Sequence, residues 1–202
     1  YDFSLTDKYL IAARNSGAEI IFRLGESVDM LGVKRSFALP TSYEKYARVC
    51  VNIIKHYSGC FANGYDLGIK YVDVWCIDES LDLMAQLELY EKIANAVKTF
   101  DDGLMVGGMS FDDDYIGETL RYCQKKHVPL DFVSLDCFAS DVESACEKVE
   151  RCVAQLKKLG LRDTKIILGK WSYIDKDCLN GKALKDILCG GVETFEDKKR
   201  LF

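Results

Sequence analysis

The chain has 202 residues, enough to bury a core of its own, with 49% hydrophobic residues, 29% charged residues and a formal net charge of -5. No Lys/Arg block stands out, which excludes nucleic acid and anionic membrane as main partners, and the longest apolar runs are far short of a membrane span. The amino-terminal residues Tyr1-Asp2-Phe3-Ser4-Leu5-Thr6-Asp7 show neither the basic stretch nor the apolar core of a secretory leader. The nine cysteines (Cys50, Cys60, Cys76, Cys123, Cys137, Cys146, Cys152, Cys178 and Cys189) form no CxxC pair, and neither His56 nor His127 stands at ligand spacing from one. They read as small buried hydrophobes in a reducing, cytoplasmic setting, with no metal site.

Residues Ser4 to Ser16 have helical spacing, with Gly17 as the stop signal. Glu19 to Leu24 is a short apolar strand closed by Gly25-Glu26-Ser27. A loop then leads to a helix from about Ser42 to Tyr57, with Ser42 as a candidate cap. Strand Tyr71 to Cys76 precedes helix Leu83 to Phe100, strand Leu104 to Gly108 and a helix from about Tyr115 to Lys126. The acidic run Asp112-Asp113-Asp114 falls in the loop between the last two, as a solvated cluster or a Ca²⁺/Mg²⁺ ligand set. Pro129 restarts the chain into strand Phe132 to Asp136, followed by helix Val142 to Leu159, strand Lys165 to Leu168 and a short helix near Lys182 to Cys189.

Five short strands, each separated by a helix, form a βαβ series and predict an α/β fold with a parallel sheet. Gly107-Gly108 is a bare pair without the spacing of a phosphate loop, so no nucleotide cofactor is expected. A (β/α) TIM-barrel type is favoured over a doubly wound sheet. A full barrel needs eight strands, so residues 1–202 read as one domain holding an incomplete barrel, or a fragment of one.

The strand Ile69-Lys70-Tyr71-Val72-Asp73-Val74-Trp75 runs directly into Cys76-Ile77-Asp78-Glu79. Carboxylates just past the carboxyl end of a parallel strand are where such folds do chemistry. Together with Phe22-Arg23-Leu24-Gly25-Glu26-Ser27, Val106-Gly107-Gly108, Pro129-Leu130-Asp131-Phe132-Val133-Ser134 and Ile166 to Tyr173, this segment resembles glycoside hydrolase family 39. That family is the β-xylosidase-like group of barrel glycosidases. The resemblance covers most of the chain and implies five β/α units matching strands three to seven of the barrel.

It also implies two carboxylates about 5–5.5 Å apart, one acid/base and one nucleophile. The family's acid/base is the glutamate of a Trp-Asn-Glu-Pro motif, matched here by Trp75-Cys76-Ile77-Asp78. Its nucleophile is the glutamate of a Glu-Trp pair, matched here by Lys170-Trp171. The end of its sixth strand, a Trp-His followed by an aromatic, is matched by Leu135-Asp136-Cys137-Phe138. Isoleucine cannot exchange a proton, and a lysine opposes the positive charge of an oxocarbenium-like transition state.

By this resemblance the chain is a glycosidase-like domain with impaired catalysis that at most binds carbohydrate, through Arg23, Trp75, Phe138, Lys170 and Trp171. The alternatives are a working β-glycosidase using Asp78, Glu79 or Asp136, and a non-catalytic scaffold whose barrel is completed by another segment or another chain. Other readings of the same residues stay open. Trp75 and Trp171 either stack on a sugar or fill the top of the core. Arg23 either contacts ligand or pairs with Glu26, Asp78 or Asp136. Asp78 and Glu79 also suit a helix amino terminus. His56 reads as a packing residue and His127 as solvent-facing.

Overall fold

A computed structural model describes residues 2–25, 39–74, 81–111 and 113–173. Helix α1 (Ser4–Asn15) leads to β1 (Ile21–Leu24), α2 (Tyr43–Tyr57), β2 (Tyr71–Val74), α3 (Leu83–Phe100) and β3 (Met105–Phe111). Then come α4 (Asp113–Lys126), β4 (Phe132–Ala139), α5 (Val142–Lys158) and β5 (Lys165–Tyr173). The five strands form one parallel sheet in sequential order, β1-β2-β3-β4-β5. Successive right-handed crossovers in such a sheet place the helices on one face.

The core lies between that face and the helices. Val72, Val74, Val106, Val133 and Leu135 from the strands are buried with Ile54, Leu87, Tyr90, Ile93, Val97 and Leu120 from the helices. Side-chain caps start three of those helices: Ser42 accepts from the amide of Lys45, Asp82 from that of Ala85 and Asp141 from that of Ser144. Cys50, Cys123, Cys137 and Cys152 are buried, whereas Cys60 and Cys146 are exposed. Burial pushes the Cys50 and Cys123 thiols up to about 12, which leaves them unreactive at neutral pH.

Side chains on the opposite face show how strongly the sheet curves. Tyr71 of β2 meets Phe132 of β4 ring to ring at 5.9 Å, reaching across β3. One step toward the carboxyl ends, Ser134 of β4 donates to Asp73 of β2 at 2.9 Å. Further round, a Cβ added to Gly169 of β5 would lie 3.2 Å from Nη2 of Arg23 on β1. In a flat sheet those two strands would stand about 19 Å apart. The arc is therefore curled toward a barrel, with this face inside.

Several boundaries differ from the sequence reading. The first strand begins at Ile21 because Glu19 is exposed and paired with Lys70. Strands β3, β4 and β5 all run past their apolar cores, since β4 and β5 stay paired beyond a bulge at Leu135/Asp136. The Gly169-Lys170-Trp171 segment is thus part of β5 instead of following it. Asp113 and Asp114 open helix α4 instead of sitting in a loop, which fits acids to a helix amino terminus. Asp112, the Trp75–Glu79 segment and the helix expected near Lys182 to Cys189 lie outside the described residues.

Gly107-Gly108 has a steric role. A Cβ on Gly107 would overlap the carbonyl oxygen of Phe132, and one on Gly108 (φ +108°) would overlap the Asp73 carboxylate. Gly107→Ala is expected to destabilise the fold by about 3 kcal/mol through overpacking. The midpoint of urea unfolding, at an unchanged slope, measures it.

Candidate functional site

Strand polarity gathers the carboxyl ends of β1 to β5 on one rim of the concave face. Arg23 on β1 donates from Nε and Nη2 to Oδ2 of Asp73 on β2, at 3.1 and 2.7 Å. Ser134 on β4 donates to the same oxygen at 2.9 Å. Asp73 is 2% exposed, while the Arg23 side chain keeps 35% of its surface in solvent. Among the described residues Oδ1 of Asp73 has no hydrogen-bond partner. It lies where a side chain on Gly108 would otherwise stand.

Asp136 sits beside this group, half-buried on β4. A Cβ on Gly169 would lie 3.6 Å from its Oδ1, 3.4 Å from Cβ of Ser134 and 3.2 Å from Nη2 of Arg23. With no side chain of its own, Gly169 lets a guanidinium and a carboxylate close in on the β5 backbone. Asp136 is in register with Lys170, Cys137 with Trp171 and Phe138 with Ser172. Phe138 is half-buried, and Trp171 is 75% exposed instead of filling the top of the core. The described part of Lys170 is its backbone in β5, and Trp75, Ile77, Asp78 and Glu79 lie outside the described residues.

The structure thus brings Arg23, Asp136 and Gly169 together and sets Trp171 two residues beyond Gly169 on β5. Sequence reasoning gave Arg23 either a ligand contact or an ion pair with Glu26, Asp78 or Asp136. The structure pairs it with Asp73, which with Ser134 was not foreseen, while Glu26 and Asp78 lie outside the described residues. A signal was present: Asp73 alternates with Val72 and Val74, so the parallel strand directs a charge to its other face, where only a partner makes burial tolerable. His56 is buried and His127 exposed. Among the described residues no three His, Cys, Asp or Glu side chains cluster so as to hold a metal ion, and no helix is long and apolar enough to cross a membrane.

Asp73 acts here as a counter-ion that ties three strands together. Asp73→Asn removes the charge that Arg23 and Ser134 address and is expected to cost about 2 kcal/mol, with Ser134→Ala costing about 1 kcal/mol. Chemical unfolding of the two variants and the double variant tests this, and the two losses should not add, because both act at one oxygen.

Comparison with known proteins places this geometry. The model of the Glycosyl hydrolases family 39 matches residues 36–167. A β-xylosidase of Geobacillus stearothermophilus is 30% identical over 115 residues, which is 50% of this chain and 22% of that protein. A β-xylosidase of Caldicellulosiruptor saccharolyticus is 26% identical over 133 residues, 62% of this chain and 27% of that one. The chain therefore spans about a quarter of the length of these relatives. Among solved structures, a glucosidase from Croceicoccus marinus superposes with a TM-score of 0.77 at 25% identity, covering 86% of this chain and 38% of the other. A monomeric β-xylosidase from Caulobacter crescentus superposes at 0.66 and 19% identity, covering 86% and 41% and showing the fold alone. With a curled parallel sheet, polar side chains at its carboxyl rim and a family match over most of its length, the chain belongs to glycosyl hydrolase family 39 and spans part of its (β/α)-barrel domain.

Proposed function

We propose that this chain binds carbohydrate at the carboxyl rim of its barrel arc and is impaired in hydrolysing it. The observation that carries the reading is the state of Asp73. It is the carboxylate that β2 directs to the concave face among the described residues, and it is buried under hydrogen bonds from Arg23 and Ser134. A general acid must reach the glycosidic oxygen, and this group is engaged elsewhere. By the resemblance read from the sequence motifs, the acid/base and nucleophile positions hold Ile77 and Lys170. Paired-carboxylate hydrolysis then lacks both members of its pair.

Sugar binding draws on what remains at the rim. Asp136 supplies an acceptor and Arg23 a donor beside Gly169, groups of the kind that sugar hydroxyls address. Trp171 adds an exposed aromatic face, and the resemblance read from the sequence motifs assigns Trp75, Phe138 and Lys170 to the same rim. The remaining barrel strands would come from further sequence or from another chain. The free thiols of Cys50, Cys60, Cys123, Cys137 and Cys146 suit a reducing, cytoplasmic setting. A second reading, a working β-glycosidase, is favoured by Asp136 alone, which stands half-buried at the rim beside Arg23, with Asp78 and Glu79 as its partners.

Xylo-oligosaccharide titration together with an aryl β-xyloside assay separates the readings. Saturable binding without turnover is expected, and Trp171→Ala should weaken binding about tenfold, the equivalent of about 1.4 kcal/mol of stacking and contact. Turnover abolished by Glu79→Gln or Asp136→Asn would establish the enzyme. Absence of any sugar response, with a mass that rises with concentration in light scattering, would leave the assembly role.

A further inference from the structure

Helix α1 buries one side chain fully, Leu10, and leaves Leu5 and Tyr9 exposed, so apolar contact alone seats it weakly. Its main polar link runs through Asp7. Oδ1 of Asp7 lies 3.0 Å from Nε2 of His56 and accepts the Tyr57 hydroxyl at 3.1 Å. His56, next to last in α2, is 2% exposed, and its Nδ1 stands 3.0 Å from the carbonyl oxygen of Phe61. Phe3 of α1 stacks on the imidazole at 3.8 Å with the planes 7° apart, and Tyr65 meets it edge-on at 6.1 Å. The groups facing the ring are therefore Asp7 and Phe3 from α1, Tyr57 within α2, and Phe61 and Tyr65 from the loop that follows.

A backbone carbonyl only accepts, so Nδ1 carries a hydrogen. If Nε2 were bare, its lone pair would face a carboxylate oxygen at hydrogen-bond distance with nothing between them. A hydrogen must stand there, whether it belongs to the imidazole or to Asp7. Tyr57 cannot provide it, because its own hydroxyl already donates to the same oxygen. Burial, then the Asp7 carboxylate, pushes the Tyr57 hydroxyl well above the usual tyrosine range, so it stays protonated.

We propose that one extra proton, held between His56 and Asp7, fastens α1 to the end of α2, and that α1 is released as pH rises while the sheet stays folded. The docked form holds more protons than the undocked form, so rising pH favours release. For one linked proton the balance shifts about tenfold per pH unit wherever the undocked form has lost it and the docked form has kept it.

Amide hydrogen exchange on the whole chain, corrected for the intrinsic effect of pH, reads this directly. Protection of α1 amides should fall about tenfold per pH unit over the interval in which that proton is lost, while protection in α3 and β3 holds. Asp7→Asn replaces the carboxylate by a carboxamide that can donate to a bare Nε2, and should flatten the response. An α1 protection independent of pH in the unaltered chain, or the same slope in Asp7→Asn, overturns the proposal. Should that variant fail to fold, His56→Gln, which keeps a permanent donor toward Asp7, predicts the same flat response. In the unaltered chain the ring nitrogen shifts of His56, with exposed His127 as internal reference, must change over the same interval as α1 protection. A change over a different interval also overturns it.

Discussion

The Asp73 carboxylate is the point on which the sheet's shape and its rim both depend. Its Oδ2 gathers donors from β1 and β4, so one buried oxygen holds three of the five strands at a common radius. The reach from β2 to β4 passes over β3, which is possible because β3 presents Gly107 and Gly108 there and no side chain intervenes. Curvature, charge and the glycine pair are therefore one constraint. Any side chain on β3 at this level would push Asp73 away from Ser134 and flatten the arc.

Burying that charge is costly, and its pairing with a half-exposed guanidinium limits the cost. The arrangement also decides what the rim can do. Arg23 is drawn toward Asp73 and so comes to lie against Gly169, near Asp136. A ligand entering there meets a donor and an acceptor whose positions are set by the same bonds that curve the sheet. Site geometry and fold stability are coupled through Arg23, so changes that loosen the ion pair should disturb ligand contacts even where no ligand touches Asp73.

The sequence revealed elements more readily than relations between them. Helix Leu83–Phe100 was legible to the residue, and the structure adds the cap at Asp82 that fixes its start. Strand ends were less so. The ladder of β4 and β5 continues through a bulge that breaks the apolar run, and hydrogen bonding extends where hydrophobic patterning stops. Within the candidate site, Arg23 and Asp136 could be placed at strand ends from the apolar runs, and Phe138 and Trp171 through the family resemblance. That Arg23 on the first strand meets Gly169 on the last could not be read. That contact arises from curvature, and the residues that cause it are two glycines whose absent side chains leave no pattern.

The same limit explains why Asp73 was overlooked in favour of Asp78 and Glu79. A carboxylate at the end of a strand advertises chemistry, whereas one inside a strand reads as an error in the alternation. Physically the two differ in what they can exchange with. Residues at the rim meet solvent and ligand, so their protons are available. One layer below, the neighbours are a guanidinium, a hydroxyl and the backbone of β3, so the charge serves to hold strands together. An arc of this kind can lose acids at the rim and keep its shape, provided the layer beneath is intact. The scaffold of a glycosidase and its hydrolytic chemistry are therefore separable in free energy, and the position of Asp73 one layer below the rim is what separates them.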